Sequence, residues 1–120
     1  MNIEEIRDYC LAKPGVTEGL PFGGDTLVFK VGEKLFLLIS ISDSTHFNVK
    51  CDPEQAVELR EQYFEVQPGY HMNKKHWNTI STDGGLTRLQ LCGMIDHSYQ
   101  LVLNSLPKAL RAQVDSNKSD

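Results

Sequence analysis

The chain has 120 residues, 40% of them hydrophobic and 23% charged, with a net charge of −4. This length suits a single domain with one core, and the composition is that of an ordinary globular protein. No apolar run approaches the ~18 residues of a membrane helix, the N-terminus lacks the basic and apolar regions of a signal peptide, and a protein that coats nucleic acid indiscriminately would be basic overall.

Asn2 is placed to cap a short first helix, with Glu5 completing a capping box. Ile3, Ile6 and Cys10 share one face of it, with Tyr9 beside them, and Lys13-Pro14-Gly15 ends it. Three strands follow as a meander. In the first, Leu27, Phe29 and Val31 alternate with Thr26, Val28 and Lys30, and Gly32-Glu33 suits a two-residue turn with Gly first. The second, Leu35 to Ile41, is apolar on both faces and so belongs at the centre of a sheet. After Ser42-Asp43-Ser44, Phe47, Val49 and Cys51 face one way while His46, Asn48 and Lys50 face the other.

Asp52-Pro53-Glu54 starts a second helix, with Asp as cap and Pro at the first helical position. Ala56, Leu59 and Tyr63 form its inner stripe, and Glu54, Glu58, Arg60 and Glu61 read as a solvated face. Trp77 to Ser81 is a strand, Asp83-Gly84-Gly85 breaks the chain, and Thr87 caps the longest helix with Gln90 at the reciprocal position. Leu89, Cys92, Ile95, Tyr99, Val102 and Leu106 recur on one side of that helix, and Pro107 begins a last short one. The predicted order is α-βββ-α-ββ-α-α. It describes an α+β fold with an antiparallel sheet of about five strands, or six if a hairpin adds a short one, and helices on one face. Residues 1–114 form the domain and 115–120 a flexible polar tail.

Cys10, Cys51 and Cys92 are odd in number and far apart, which argues against disulfides and a structural zinc site and for small buried hydrophobes. The sequence holds no nucleophile elbow, P-loop or dinucleotide fingerprint. His71 and His76, with Cys51 or Asp83, do not match a metal-ligand spacing. The expectation is a non-enzyme with no catalytic residue, no metal and no cofactor.

Charge is unevenly spread: residues 1–65 carry 12 acids against 6 bases, and residues 66–120 carry 4 against 6. Between Glu65 and Asp83 there is no acid, and this stretch holds His71, Lys74, Lys75, His76 and the only tryptophan, Trp77. Lys74 and Lys75 can attract phosphate, Asn73 can bond a phosphate or a base edge, and Trp77 can stack on a base. Each has a structural alternative: Asn73 as the cap of a helical turn, His71 as a loop brace, Trp77 as core.

Val66-x-Pro68-Gly69-Tyr70-His71-x-Asn73-Lys74-x-His76-Trp77-x-Thr79 resembles the signature of the MmcQ/YjbR-like family of small bacterial proteins. So do Tyr9-Cys10-x-x-Lys13-Pro14-Gly15 near the start and Asp96-x-Ser98-Tyr99 with Leu106-Pro107 near the end. The resemblance implies a CyaY (frataxin)-like fold and a DNA-binding role through a double wing of β-hairpins. The frataxin likeness also raises iron binding, for which Glu4, Glu5 and Asp8 are too few and are interrupted by Arg7.

The expected function is a non-enzymatic DNA-binding protein that contacts phosphates through His71, Asn73, Lys74, Lys75 and His76. Trp77 would stack or buttress, and Lys50 would extend the surface. The alternative is a protein–protein interaction or regulatory module in which 66–80 is structural. DNA is the expected partner and a protein partner the second. No membrane contact, a cytoplasmic location and a monomer or weak dimer complete the expectation.

Overall fold

The computed structural model describes residues 1–69 and 72–116. Its elements are α1 (Ile3–Leu11), β1 (Val16–Gly19), β2 (Thr26–Val31), β3 (Lys34–Ser40), β4 (His46–Lys50), α2 (Pro53–Gln62), β5 (Val66–Pro68), β6 (Trp77–Ser81), α3 (Arg88–Ser105) and α4 (Lys108–Ser116). The six strands form one sheet in the order β1-β2-β3-β4-β6-β5, every pairing antiparallel. The α+β architecture with helices on one face is as expected from the sequence. The sheet has six strands because Val16–Gly19 pairs with β2, a strand of four residues too short to show a period.

Local signals act where the sequence places them. Asn2 and Glu5 form a reciprocal capping box, as do Thr87 and Gln90, and Asp52 caps α2 by accepting the Gln55 amide. The β2–β3 turn has positive φ at both Gly32 (55°) and Glu33 (71°), so it strains one non-glycine residue as well as using the glycine. At Gly32 the space is also full: a Cβ would come within 2.5 Å of Leu106 Cδ1.

The core lies between the sheet and the helices. Phe29, Val31, Leu37, Ile39, Phe47, Val49 and Ile80 from the strands meet Ile6, Cys10, Leu91, Ile95, Tyr99, Val102 and Leu103 from the helices. Here α3 differs from expectation. Its buried positions are Leu91, Ile95, Ser98, Tyr99, Val102 and Leu103, while Leu89 is 83% exposed and Cys92 is half-buried. Leu89 shares the first helical turn with the buried Leu91 but stands two positions from it, about 200° around the helix, and so faces away from the core.

The signature residues near the two ends of the domain form a clamp between α1 and α3. The Tyr9 hydroxyl donates to Asp96 at 2.7 Å, Lys13 pairs with the same carboxylate, and the Tyr99 hydroxyl donates to the Pro14 carbonyl at 2.6 Å. The Lys13 ammonium also lies 4.6 Å from the Tyr9 ring centroid and 5.3 Å from that of Tyr99. Ser98, fully buried, donates to the Phe36 carbonyl at 2.6 Å and accepts the Lys50 amide at 2.8 Å, tying α3 to two adjacent strands. Burial pushes the Cys10 thiol up to about 12 and the Cys51 thiol up to about 11, so both stay protonated. The helix α4 includes Asp115 and Ser116, and the rest of the expected tail, 117–120, lies outside the described residues.

Candidate nucleic-acid interface

The segment joining β5 to β6 folds back on itself through its own backbone. The Gly69 amide donates to the Trp77 carbonyl at 2.9 Å, and the Met72 amide to the Gly69 carbonyl at 3.0 Å. Gly69 is required there because a Cβ would lie 2.9 Å from Trp77 Cβ. The Asn73 carbonyl accepts from the amides of His76 (3.1 Å) and Trp77 (3.0 Å), and its Oδ1 accepts the Lys75 amide at 3.0 Å. Asn73 therefore caps a turn with its side-chain oxygen, leaving its amide NH2 for other contacts.

The residues expected to form the site fall into distinct places. Asn73, Lys74 and Lys75 are exposed, His76 and Lys50 are half-buried, and Trp77 is 9% exposed. His71 lies outside the described residues. Trp77 packs with Val28 and Leu38, and Leu35 and Met72 pack against them, in a minor apolar cluster on the sheet face away from the helices. It buttresses the loop and offers little ring surface for stacking. Lys50 is its direct cross-strand partner, and the Cys51 amide donates to the His76 carbonyl at 2.7 Å. These contacts bring Lys50 beside the loop that carries Lys74 and Lys75.

The residue that holds this arrangement is Arg60, which the sequence pattern assigns to a solvated face. Its Nε donates to Asn78 Oδ1 at 2.7 Å, and its Nη2 donates to the carbonyls of Trp77, at 3.1 Å, and Lys74. A signal for it exists: Arg60 follows the buried Ala56 by four residues, which places it toward the inner half of α2. Asn78 likewise shares a face with the buried Ile80, so it is a buried polar group in need of a partner.

The pairing register defines the helix-free face of the sheet. Residues directly opposite in an antiparallel ladder share a face. That face carries Thr26, Val28 and Lys30 of β2, Leu35, Leu38 and Ser40 of β3, His46, Asn48 and Lys50 of β4, and Trp77, Thr79 and Ser81 of β6. No carboxylate occupies these positions. Lys30 and Lys50 stand toward the loop end, while Asp25, Asp43 and Asp83 gather beyond the other end, where hydroxyls of Ser40, Ser42, Thr45 and Ser81 engage them. Acids near the basic end come from Glu33 in the β2–β3 turn and from Asp52, Glu54 and Glu58 around the start of α2. Lys75 lines a shallow groove of about 560 Å³ with Glu54 and Glu58, which offset part of its charge.

Among the described residues, no group of three or more His, Cys, Asp or Glu side chains is placed to hold a metal ion, and no helix is long and apolar enough to cross a membrane.

Known proteins of the same kind share this architecture. The YjbR family model matches residues 11–101. The chain is 36% identical over 112 residues to the YjbR protein of Escherichia coli strain K12, covering 92% of this chain and 95% of that one. It is 36% identical over 106 residues to YbdF of Escherichia coli O157:H7, covering 88% and 87%. Among solved structures, the Deinococcus radiodurans protein DR2400, of the DUF419 domain family, superposes with a TM-score of 0.89 at 35% identity, over 95% of this chain and 88% of that one. A Pseudomonas syringae protein gives a TM-score of 0.72 at 28% identity, over 85% and 99%. The family model spans Lys13, Asp96 and Tyr99 of the α1–α3 clamp, the strands of the open sheet face and the 66–80 segment, and the chain belongs to the YjbR family.

Proposed function

We propose that the protein is a non-enzymatic DNA-binding module whose contact surface is the basic end of the open sheet face. Lys50, Lys74 and Lys75 take phosphates, Lys30 extends the track along the sheet, and Asn73 and His76 supply polar contacts at the rim. The observation that carries this reading is a sheet face free of carboxylates at its strand positions, with Lys50 beside the Lys74-Lys75 loop and Lys30 at the same end of the sheet, two strands from Lys50. Trp77 supports the loop from beneath. The Glu54 and Glu58 side of Lys75 marks the edge of the surface and keeps the contact local.

One observation favours a second reading, a protein-interaction or regulatory module in which 66–80 is structural. Trp77 is buried, and Arg60 braces the loop as it would any structural turn.

Binding measured at two salt concentrations separates the readings. Wild type should retain duplex or single-stranded DNA at low salt, and duplex affinity should fall by ~0.9 log units per log unit of salt for each phosphate contact. K50E combined with K74E and K75E should abolish retention without moving the melting temperature. No retention by wild type at low salt overturns the DNA reading and leaves the second.

A further inference from the structure

A second concavity lies on the opposite side of the sheet, enclosed by α2, α3 and the strands β4 and β6. It is a cavity of about 300 Å³, near the lower end of the ~300–1,000 Å³ usual for small-molecule sites. Its walls combine Leu59, Met94 and Cys51 with the polar side chains of Tyr63, Asn78 and His97.

The polar groups are unusual in what they lack. Asn78 is 1% exposed, and its Nδ2 has no hydrogen-bond partner among the described residues. The amide cannot be turned over to relieve this, because Oδ1 already accepts from Arg60 Nε at 2.7 Å. A buried donor left without an acceptor costs about 1–3 kcal/mol, so such a group calls for an explanation. The Tyr63 hydroxyl accepts from the side-chain Nε2 groups of Gln62 (3.1 Å) and Gln90 (3.3 Å), and its own proton has no acceptor among the described residues. His97 Nε2 accepts the Asp52 amide at 3.2 Å, which leaves the ring proton on Nδ1. Gln55 and Gln90 also line the wall with side-chain amides, the Gln90 oxygen accepting from the Thr87 amide, and no carboxylate is among the lining residues. Lys50 enters this wall by its backbone, since its side chain belongs to the opposite face with Trp77.

From this juxtaposition of an apolar cavity with the unmatched amide of Asn78 and the hydroxyl of Tyr63, we infer a binding site for a small, uncharged, largely apolar molecule bearing a carbonyl oxygen. The apolar body lies against Leu59 and Met94. The carbonyl accepts from Asn78 and Tyr63, supplying the acceptor that the fold withholds. A charged ligand does not fit, because among the described lining residues the one charged side chain, Lys50, belongs to the opposite face of the sheet. The site is independent of DNA binding, as it opens on the helical side of the sheet.

Acetophenone and α-methylstyrene are matched probes that differ only in C=O against C=CH2. Titration of wild type, followed by heteronuclear NMR, should show acetophenone binding with shifts at Tyr63, Met94 and His97, roughly tenfold tighter than the alkene. N78D keeps an acceptor for Arg60 and removes both amide protons, leaving Tyr63 as the remaining donor, so the preference should fall well below its wild-type value. Gly93 also borders the cavity, and a Cβ there meets nothing within 4 Å, so G93L should fill the opening without disturbing the fold and abolish binding of both probes. The inference is overturned if wild type fails to bind acetophenone or binds both probes equally. It is equally overturned if G93L binds as wild type does, or if folded N78D keeps the full wild-type preference. G93L decides the matter should N78D not fold.

Discussion

Arg60 and Asn78, 18 residues apart, are joined by a 2.7 Å hydrogen bond from the guanidinium Nε to the amide Oδ1. The same guanidinium holds the Lys74 and Trp77 carbonyls, so one side chain of α2 fixes both the start of β6 and the loop before it. The bond also fixes which way the Asn78 amide points, and hence that Nδ2 is the atom left without a partner among the described residues.

Replacing Arg60 should therefore act on the loop and on stability together. R60A leaves Asn78 Oδ1 and two carbonyls without their donor, at a cost of about 1–3 kcal/mol in urea unfolding. R60K carries a single ammonium in place of a planar fork and should recover only part of this. Amide hydrogen exchange at residues 72–77 should rise in R60A. Unchanged exchange there would show that the loop holds its shape without Arg60.

Ser98 offers a cleaner measurement because it is fully buried and serves two strands. S98A removes the partner of both the Phe36 carbonyl and the Lys50 amide, and should cost about 2 kcal/mol in chemical denaturation. A loss below about 0.5 kcal/mol would mean that other groups satisfy those backbone atoms.

Stability should fall on the acid side, and Asp25 should account for part of the fall. Hydrogen bonds from the Ser40 and Ser42 hydroxyls, then from the Ser42 amide, hold its carboxyl below the usual aspartate value. Glu5, held by the Asn2 amide and Arg88, and Glu18, held by Arg7, are lowered in the same sense. A pKa lowered by folding contributes fully above the unfolded value, about 4, and its contribution disappears as pH falls through the folded one. D25N should be less stable than wild type at neutral pH, and the gap should narrow as pH falls below the unfolded aspartate value of about 4. Parallel curves for the two proteins across that range would refute the assignment.

The thiols should react in order of burial. Cys10 and Cys51 are buried, with their thiols pushed up to about 12 and about 11, whereas Cys92 is half-buried beside Met1. Native protein treated with iodoacetamide at pH 8 should be alkylated first at Cys92, as read by peptide mass spectrometry. Early labelling of Cys51 would indicate that the neighbouring cavity opens further in solution.

The sequence alone determined what local chemistry controls. The caps at Asn2, Asp52 and Thr87, the alternation along β2 and β4, the central place of β3 and the strand at Trp77–Ser81 all rest on residues within a few positions of one another. The family signature was also legible, because it is a string. Its physical meaning was not. Tyr9, Lys13, Asp96 and Tyr99 read as motif residues, and only packing α1 against α3 made them a clamp. Tertiary structure also decided that Leu89 faces solvent, that Trp77 buttresses and that Arg60 turns inward. It gathered the acids at one end of the open face and left Asn78 with an unmatched donor. These outcomes depend on which groups meet across the sheet and between helices, and helical or strand periodicity carries no information about a partner many residues away.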